Sequence, residues 1–214
     1  DGYFGREGLY GDTAGDYKDN LERFSFFSRT ALELARRNGF CPDIVHNNEW
    51  QTAVASIDLA TAFKDDPFYR NARTLFTIHN AAYQGVFPLA DFAPLGLEPD
   101  VLGPEGIELR GKGNLLKGAL IYSDMLSTVS ETYASEIKTK EYGCGLESVL
   151  KKRSRDLFGV LNGIDTRLWD PSADPVIGRR FSAARLSARS ENKRDLRRLC
   201  GLRVPRPAPG GGPD

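Results

Sequence analysis

Apolar residues recur at helical spacing through residues 18–37, KDNLERFSFFSRTALELARR, where Leu21, Phe24, Phe27, Ala31, Leu32 and Leu34 fall toward one face. A helix is predicted there, with Asn20 as N-cap and Gly39 as the stop after Arg36 and Arg37. The next run, PDIVH, is short and β-branched and predicts a strand. It passes into NNEWQTAVASIDLATAF, a second helix expected to start near Asn48, since Asn48 and Gln51 have the spacing of a capping box. The unit then recurs. RTLFTIHN reads as a strand, residues 85–113 as a Pro- and Gly-rich crossing, and NLLKGALIYSD as a helix. MLSTVS, ETYASEIKTK and DLFGVLNGID follow as strand, helix and strand.

Strands alternating with helices predict an α/β fold, a Rossmann-like parallel sheet with helices on both faces. Strands covered on both faces should be nearly continuous apolar runs, with polarity held back to their ends. His46, His79, Asn80, Ser130, Asn162 and Gly163 each lie just past such a run. Ligands of open α/β sheets bind outside the carboxyl ends of the strands, so these positions are the candidate rim. Beyond residue 164 the pattern weakens to a turn region and a basic helix from about Ser190 to Leu199, stopped by Gly201. One domain is expected over residues 1–202, and RVPRPAPGGGPD, residues 203–214, has the composition of a linker or disordered tail.

Composition narrows the partners. A chain of 214 residues that is 40% hydrophobic can bury a sizeable core, and 29 basic against 29 acidic residues create no field that gathers nucleic acid or an anionic membrane. No apolar stretch approaches the roughly 20 residues of a membrane span. The three cysteines, Cys41, Cys144 and Cys200, lack the close pairing of zinc sites or small disulfide scaffolds and read as reduced thiols of a cytoplasmic-type compartment.

Each candidate residue has two readings. His79 is either a strand-end histidine bonded to nearby backbone or, with Asn80, a pair able to donate to and accept from sugar hydroxyls. Glu49 either stabilises a helix first turn or faces the crevice as a carboxylate. Trp50 either packs in the core or stacks on a sugar. Asn162-Gly163 is a turn dipeptide whatever its function, and Gly143 and Gly145 before a helix are too loosely spaced for a dinucleotide fingerprint.

Eight segments in order, YFGREGLYGD, DYKDNLERFSFF, PDIVHNNEWQT, TIHNAAYQGVF, NLLKGALIYSD, STVSETYASEI, GCGLESVL and VLNGIDTRLWDPSAD, resemble the bacterial glycogen synthases and plant starch synthases over residues 2 to about 202. The resemblance implies one half, itself incomplete, of a two-domain glycosyltransferase (GT-B) fold, with the active site between two Rossmann-like domains. It implies retaining transfer of glucose from ADP-glucose, the donor substrate, to the non-reducing end of an α-1,4-glucan, glycogen or starch, with no metal and no cofactor. His79 would bind the transferred glucosyl unit, with Asn80 beside it. Asn162 would contact the nucleotide sugar, and Tyr10 and Trp50 would line the cleft. Glu49 stands where the family carries a catalytic-site aspartate, in the stretch His46, Asn47, Asn48, Glu49, Trp50 that the family writes as histidine, any residue, histidine, aspartate, tryptophan. One added methylene moves the charge by about an ångström, and misplacements of that size can cost on the order of 100-fold in rate.

The family's lysine-threonine-glycine-glycine loop is expected before residue 1, and its second domain, with the cations for the diphosphate, after residue 202. The chain alone is therefore expected to be inactive. The alternative is a non-catalytic glucan-binding or structural module. A cytoplasmic location is expected in a bacterium and a plastid in a plant.

Overall fold

The structure, a computed structural model, describes residues 2–203. By its internal contacts the chain divides into two compact units, Asp1–Asn162 and Gly163–Asp214. The division falls inside the span that the sequence reading takes as one domain.

In the first unit a two-residue hairpin, β1 (Gly11–Asp12) and β2 (Gly15–Asp16), precedes α1 (Asn20–Arg37). The helix ends as its sequence predicts, with Gly39 at φ +65°, but Asp19 rather than Asn20 takes the cap position. Asn20 instead donates to the Tyr10 carbonyl at 2.8 Å. Leu21, Phe24 and Leu32 are buried, whereas Phe27 and Leu34 are exposed, so the buried stripe is narrower than the spacing implied. Arg6 grips the Asp19 carboxylate through two nitrogens, at 2.6 and 2.8 Å, and this pairing holds the Asp19 carboxyl below the usual carboxylate range.

The main sheet has four parallel strands, β3 (Ile44–Asn48), β4 (Arg73–Ile78), β8 (Met125–Thr128) and β9 (Leu157–Gly159), in the order β3-β4-β8-β9. Between them run α2 (Ala53–Ala60), α4 (Leu115–Tyr122), α5 (Glu131–Glu136) and α6 (Glu147–Lys152). The long crossing folds as a small antiparallel sheet, β5 (Val86–Pro88), β7 (Lys112–Asn114) and β6 (Glu108–Leu109), with the short helix α3 (Pro99–Leu102).

Strand alternation sorts the main sheet into two unlike faces. Val45, Phe76, Ile78, Leu126 and Leu157 share one face and pack in the two apolar clusters with α1, α2, α4, α5 and α6. Ile44, His46, Leu75, Met125 and Phe158 share the other and belong to neither cluster; Ile44 is 65% exposed, Met125 40% and Phe158 51%. The α/β class and the parallel sheet are as expected, and the helices packed in these clusters lie against the first face. Exposure falls on the outer strands and the strand starts; toward their carboxyl ends the inner strands are buried on both faces, with Phe76, Thr77 and Ile78 of β4 and Leu126, Ser127 and Thr128 of β8 all buried.

The second helix also starts differently. No capping box forms at Asn48; the chain makes a 3-10 turn, Trp50–Thr52, before α2. The Thr52 hydroxyl donates to the Asn48 carbonyl at 2.8 Å and accepts from the Asn48 amide at 2.7 Å, while Gln51 Oε1 is buried without a partner.

In the second unit a 3-10 segment, Ala183–Ala188, leads into α7 (Arg189–Leu199), close to the basic helix predicted, with Gly201 at φ +66° after it. No described residue from 163 onward is buried, so this unit brings no side chain to an apolar core. Of the tail expected over residues 203–214, all but Arg203 lies outside the described residues.

Candidate functional site at the carboxyl rim

Ile78, Thr128 and Gly159 are paired across β4, β8 and β9, so these strands end together and their continuations share one edge. Directly past Ile78, residues 79–82 form a turn whose four successive amides are all held by side-chain oxygens. Glu49 Oε1 accepts from the His79 amide and, at 3.1 Å, from the Asn80 amide. The Tyr133 hydroxyl accepts from Ala81 at 3.0 Å, and Asn80 Oδ1 from Ala82 at 3.0 Å. Every N–H of this loop is thereby engaged, and the exposed groups it turns toward solvent are the His79 ring and the Asn80 side-chain NH2.

Glu49 reaches these amides from an uncommon backbone conformation, φ 59° and ψ 167°. A left-handed non-glycine residue costs on the order of 1–3 kcal/mol and persists only where its surroundings demand it. Here the demand is visible, because the Glu49 amide donates to the Thr77 carbonyl at 3.1 Å while its carboxylate caps the neighbouring strand end. Glu49, expected as a site carboxylate, thus commits one oxygen to shaping the loop that bears His79.

His79 Nε2 lies 3.0 Å from Asn48 Oδ1. His46 is elsewhere. Its strand continues to Asn48, so His46 sits in mid-strand on the sheet face opposite the apolar clusters, with Nε2 2.7 Å from the Thr77 hydroxyl, itself 2.6 Å from the Ser127 hydroxyl. This corrects the placement of His46 at a strand end.

Trp50 is largely buried, with part of its surface on an open cleft. It is 9% exposed, with ring centroids 5.1 Å from Phe24 and 5.7 Å from Phe87. Its indole lies directly against Gly85, which has φ +60°. Tyr10 is exposed, its ring 5.9 Å from that of Phe24, which in turn packs on Trp50. An open cleft of about 490 Å³ is lined by Tyr17, Trp50, Tyr83, Gln84 and Cys144 among others. Asn162 is exposed, two residues past Val160, whose amide donates to the Thr128 carbonyl at 2.8 Å. It shares the carboxyl edge with His79, on strands whose ends stand two spacings, roughly 10 Å, apart. Gly143 and Gly145 precede a helix of only six residues.

The structure therefore joins His79, Asn80 and Glu49 by hydrogen bonds, seats Trp50 behind them, and puts Asn162 farther along the same edge. Sequence reasoning missed Asn48 and Tyr133 as partners of this loop. Asn48 had one usable signal, its position where the family pattern has a second histidine. Tyr133 had none, being 52 residues from its partner. Among the described residues no three His, Cys, Asp or Glu side chains converge as metal ligands would.

Fold and rim together define a Rossmann-like α/β domain with its ligand crevice at the carboxyl edge of the sheet. Residues 1–152 match the family model described as the starch synthase catalytic domain. Glycogen synthase 2 of Geobacter sulfurreducens is 47% identical over 200 residues, and the glycogen synthase of Koribacter versatilis 47% over 201; each alignment takes in 94% of this chain and 41% of the relative. The solved catalytic domain of starch synthase IV from Arabidopsis thaliana, bound to ADP and acarbose, superposes with a TM-score of 0.74 at 38% identity, over 95% of this chain and 41% of that one. The chain belongs to the starch synthase catalytic-domain family and carries part of a GT-B glycosyltransferase fold. It spans about two fifths of the length of these relatives.

Proposed function

We propose that this chain is the rim-bearing part of a glycogen or starch synthase that transfers glucose from ADP-glucose to the non-reducing end of an α-1,4-glucan with retention. The observation that carries this reading is the loop at residues 79–82. With all four amides bound internally, it offers no N–H cradle for a phosphate; it offers an imidazole, a side-chain NH2 and carbonyls, which suit hydroxyl-rich sugars. His79 and Asn80 would orient the transferred hexose, and Asn162, farther along the edge, the nucleotide sugar. The barrier falls when donor and acceptor are held in near-attack geometry and developing charge meets pre-placed dipoles. ADP-glucose is favoured as donor because the Arabidopsis relative binds ADP and acarbose. The reading needs no cofactor beyond the donor.

The test is incorporation of labelled glucose into glycogen by the product of the whole parent gene, with ADP-glucose and UDP-glucose supplied separately. Incorporation from ADP-glucose supports the proposal; glucan binding without transfer from either donor makes the protein a non-catalytic module and refutes it. The 214-residue chain alone is expected to give no turnover, because the cations that meet the diphosphate in this family belong to a second domain.

A further inference from the structure

We infer that Asn48 is a positioning residue that sets the tautomer of His79, holding the proton on Nε2 and leaving Nδ1 as a bare acceptor toward the crevice. The residues that do this are all placed by the fold. Asn48 ends β3, and its backbone is clamped at both polar atoms by one hydroxyl, with Thr52 Oγ1 2.7 Å from its amide and 2.8 Å from its carbonyl. The side chain therefore projects from a fixed base. From there Oδ1, an atom that can only accept, lies 3.0 Å from His79 Nε2. A hydrogen bond across that gap needs the proton on the ring nitrogen. The His79 backbone is independently pinned through its amide by Glu49, so backbone and ring are held by consecutive residues, 48 and 49, at the end of one strand.

The consequence is a division of labour at the rim. In its neutral form a histidine has one donor and one acceptor nitrogen, and the bond made by one decides what the other can do. With Nε2–H given to Asn48, the neutral ring accepts from a ligand hydroxyl through Nδ1 and donates to none. Asn80 is complementary: its Oδ1 is occupied by the Ala82 amide, which leaves its NH2 to donate. One acceptor and one donor then face the same crevice, an arrangement that reads the direction of a sugar hydroxyl. What the ring meets there rests on the transferase reading; the tautomer does not, and it is measured without a substrate.

The chain has only two histidines, which makes the measurement direct. Long-range proton–nitrogen correlation spectra of the uniformly ¹⁵N-labelled chain, recorded at about pH 8.5 where a reference imidazole is neutral, give one spin system for each ring. His46→Gln assigns them by deletion. The expected result for His79 is a pyrrole-type Nε2 and a pyridine-type Nδ1. In Asn48→Ala the two His79 nitrogens should move toward each other as the tautomers average, while His46 stays in place. Asn48→Asp, which keeps an acceptor at the same reach, should restore the wild-type pattern. A pyridine-type Nε2 in the wild-type chain overturns the inference, since Asn48 would then be donating; that result requires no variant to fold. An unmoved His79 pattern in a folded Asn48→Ala chain overturns it equally. Loss of glucosyl transfer in the parent enzyme with the tautomer as stated would sink the functional reading and leave this one standing.

Discussion

Gly85→Ala should unsettle the rim from beneath, and its cost can be worked from the structure. Gly85 has φ +60°, and a methyl there would stand 2.4 Å from Cε3, 2.6 Å from Cδ2 and 3.0 Å from Cγ of Trp50. The indole cannot retreat freely, being packed against Phe24 and Phe87. Left-handed backbone at a residue with a Cβ costs about 1–2 kcal/mol. Forcing a methyl into a packed core adds about 1–3 kcal/mol, and the lower unfolded-state entropy of alanine returns about 0.4–1 kcal/mol. A net loss of about 1–4.5 kcal/mol follows, or about 2–18 °C in Tm for a unit of this size. Urea unfolding followed by far-UV circular dichroism reads it, a signal that does not depend on Trp50 and so serves every variant of the cycle. Adding Trp50→Phe should return the steric part but not the backbone part, for a coupling of about 1–3 kcal/mol. A Gly85→Ala loss below about 0.5 kcal/mol, or no coupling to Trp50, would refute the reasoning.

Other substitutions test separate contacts. Arg29→Met should destabilise by about 3–5 kcal/mol, because the Asp58 carboxylate, 2% exposed, is held by Arg29 at 2.7 and 3.1 Å and would be left buried and unpaired; thermal unfolding checks it, and Asp58→Asn in the same chain should recover part of the loss. Tyr133→Phe removes the hydroxyl that accepts from the Ala81 amide and should cost about 1–3 kcal/mol, with faster hydrogen exchange at Ala81 and its neighbours as the local signature. Asp19, whose carboxyl is held low by Arg6, contributes stability that is fully present above its ordinary value of about 3.9 and is lost as the pH falls below it. Asp19→Asn should therefore flatten the acid limb of the stability curve, as measured by urea midpoints at a series of pH values, and leave the slope near neutrality unchanged.

Much of the fold was legible because local periodicity and tertiary packing agree along most of the chain. RTLFTI and MLST are apolar enough to be strands in any context, and Gly39 and Gly201 stop helices for purely local reasons. Failures arose where a distant partner decides. Asn48 and Gln51 have capping-box spacing, but the Thr52 hydroxyl was better placed to bind the Asn48 backbone, and the strand ran on through Asn48. Continuous apolar runs suggested strands buried along their whole length, which holds for the carboxyl halves of the inner strands, whereas the outer strands β3 and β9 leave Ile44 and Phe158 exposed. Of the site, His79, Asn80 and Glu49 were legible as candidates. Their mutual bonding was not, since it depends on β3 and β4 lying side by side.

The exposed apolar residues at the margins of the sheet have a practical consequence. Among the described residues β3 and β9 are the outermost strands, and each borders a surface bearing Ile44, Met125 and Phe158. Unpaired strand borders next to bare apolar side chains are templates for adding another chain. A preparation of this polypeptide by itself should thus scatter more light as its concentration rises, and placing lysine at Ile44 is the simplest way to keep it dispersed.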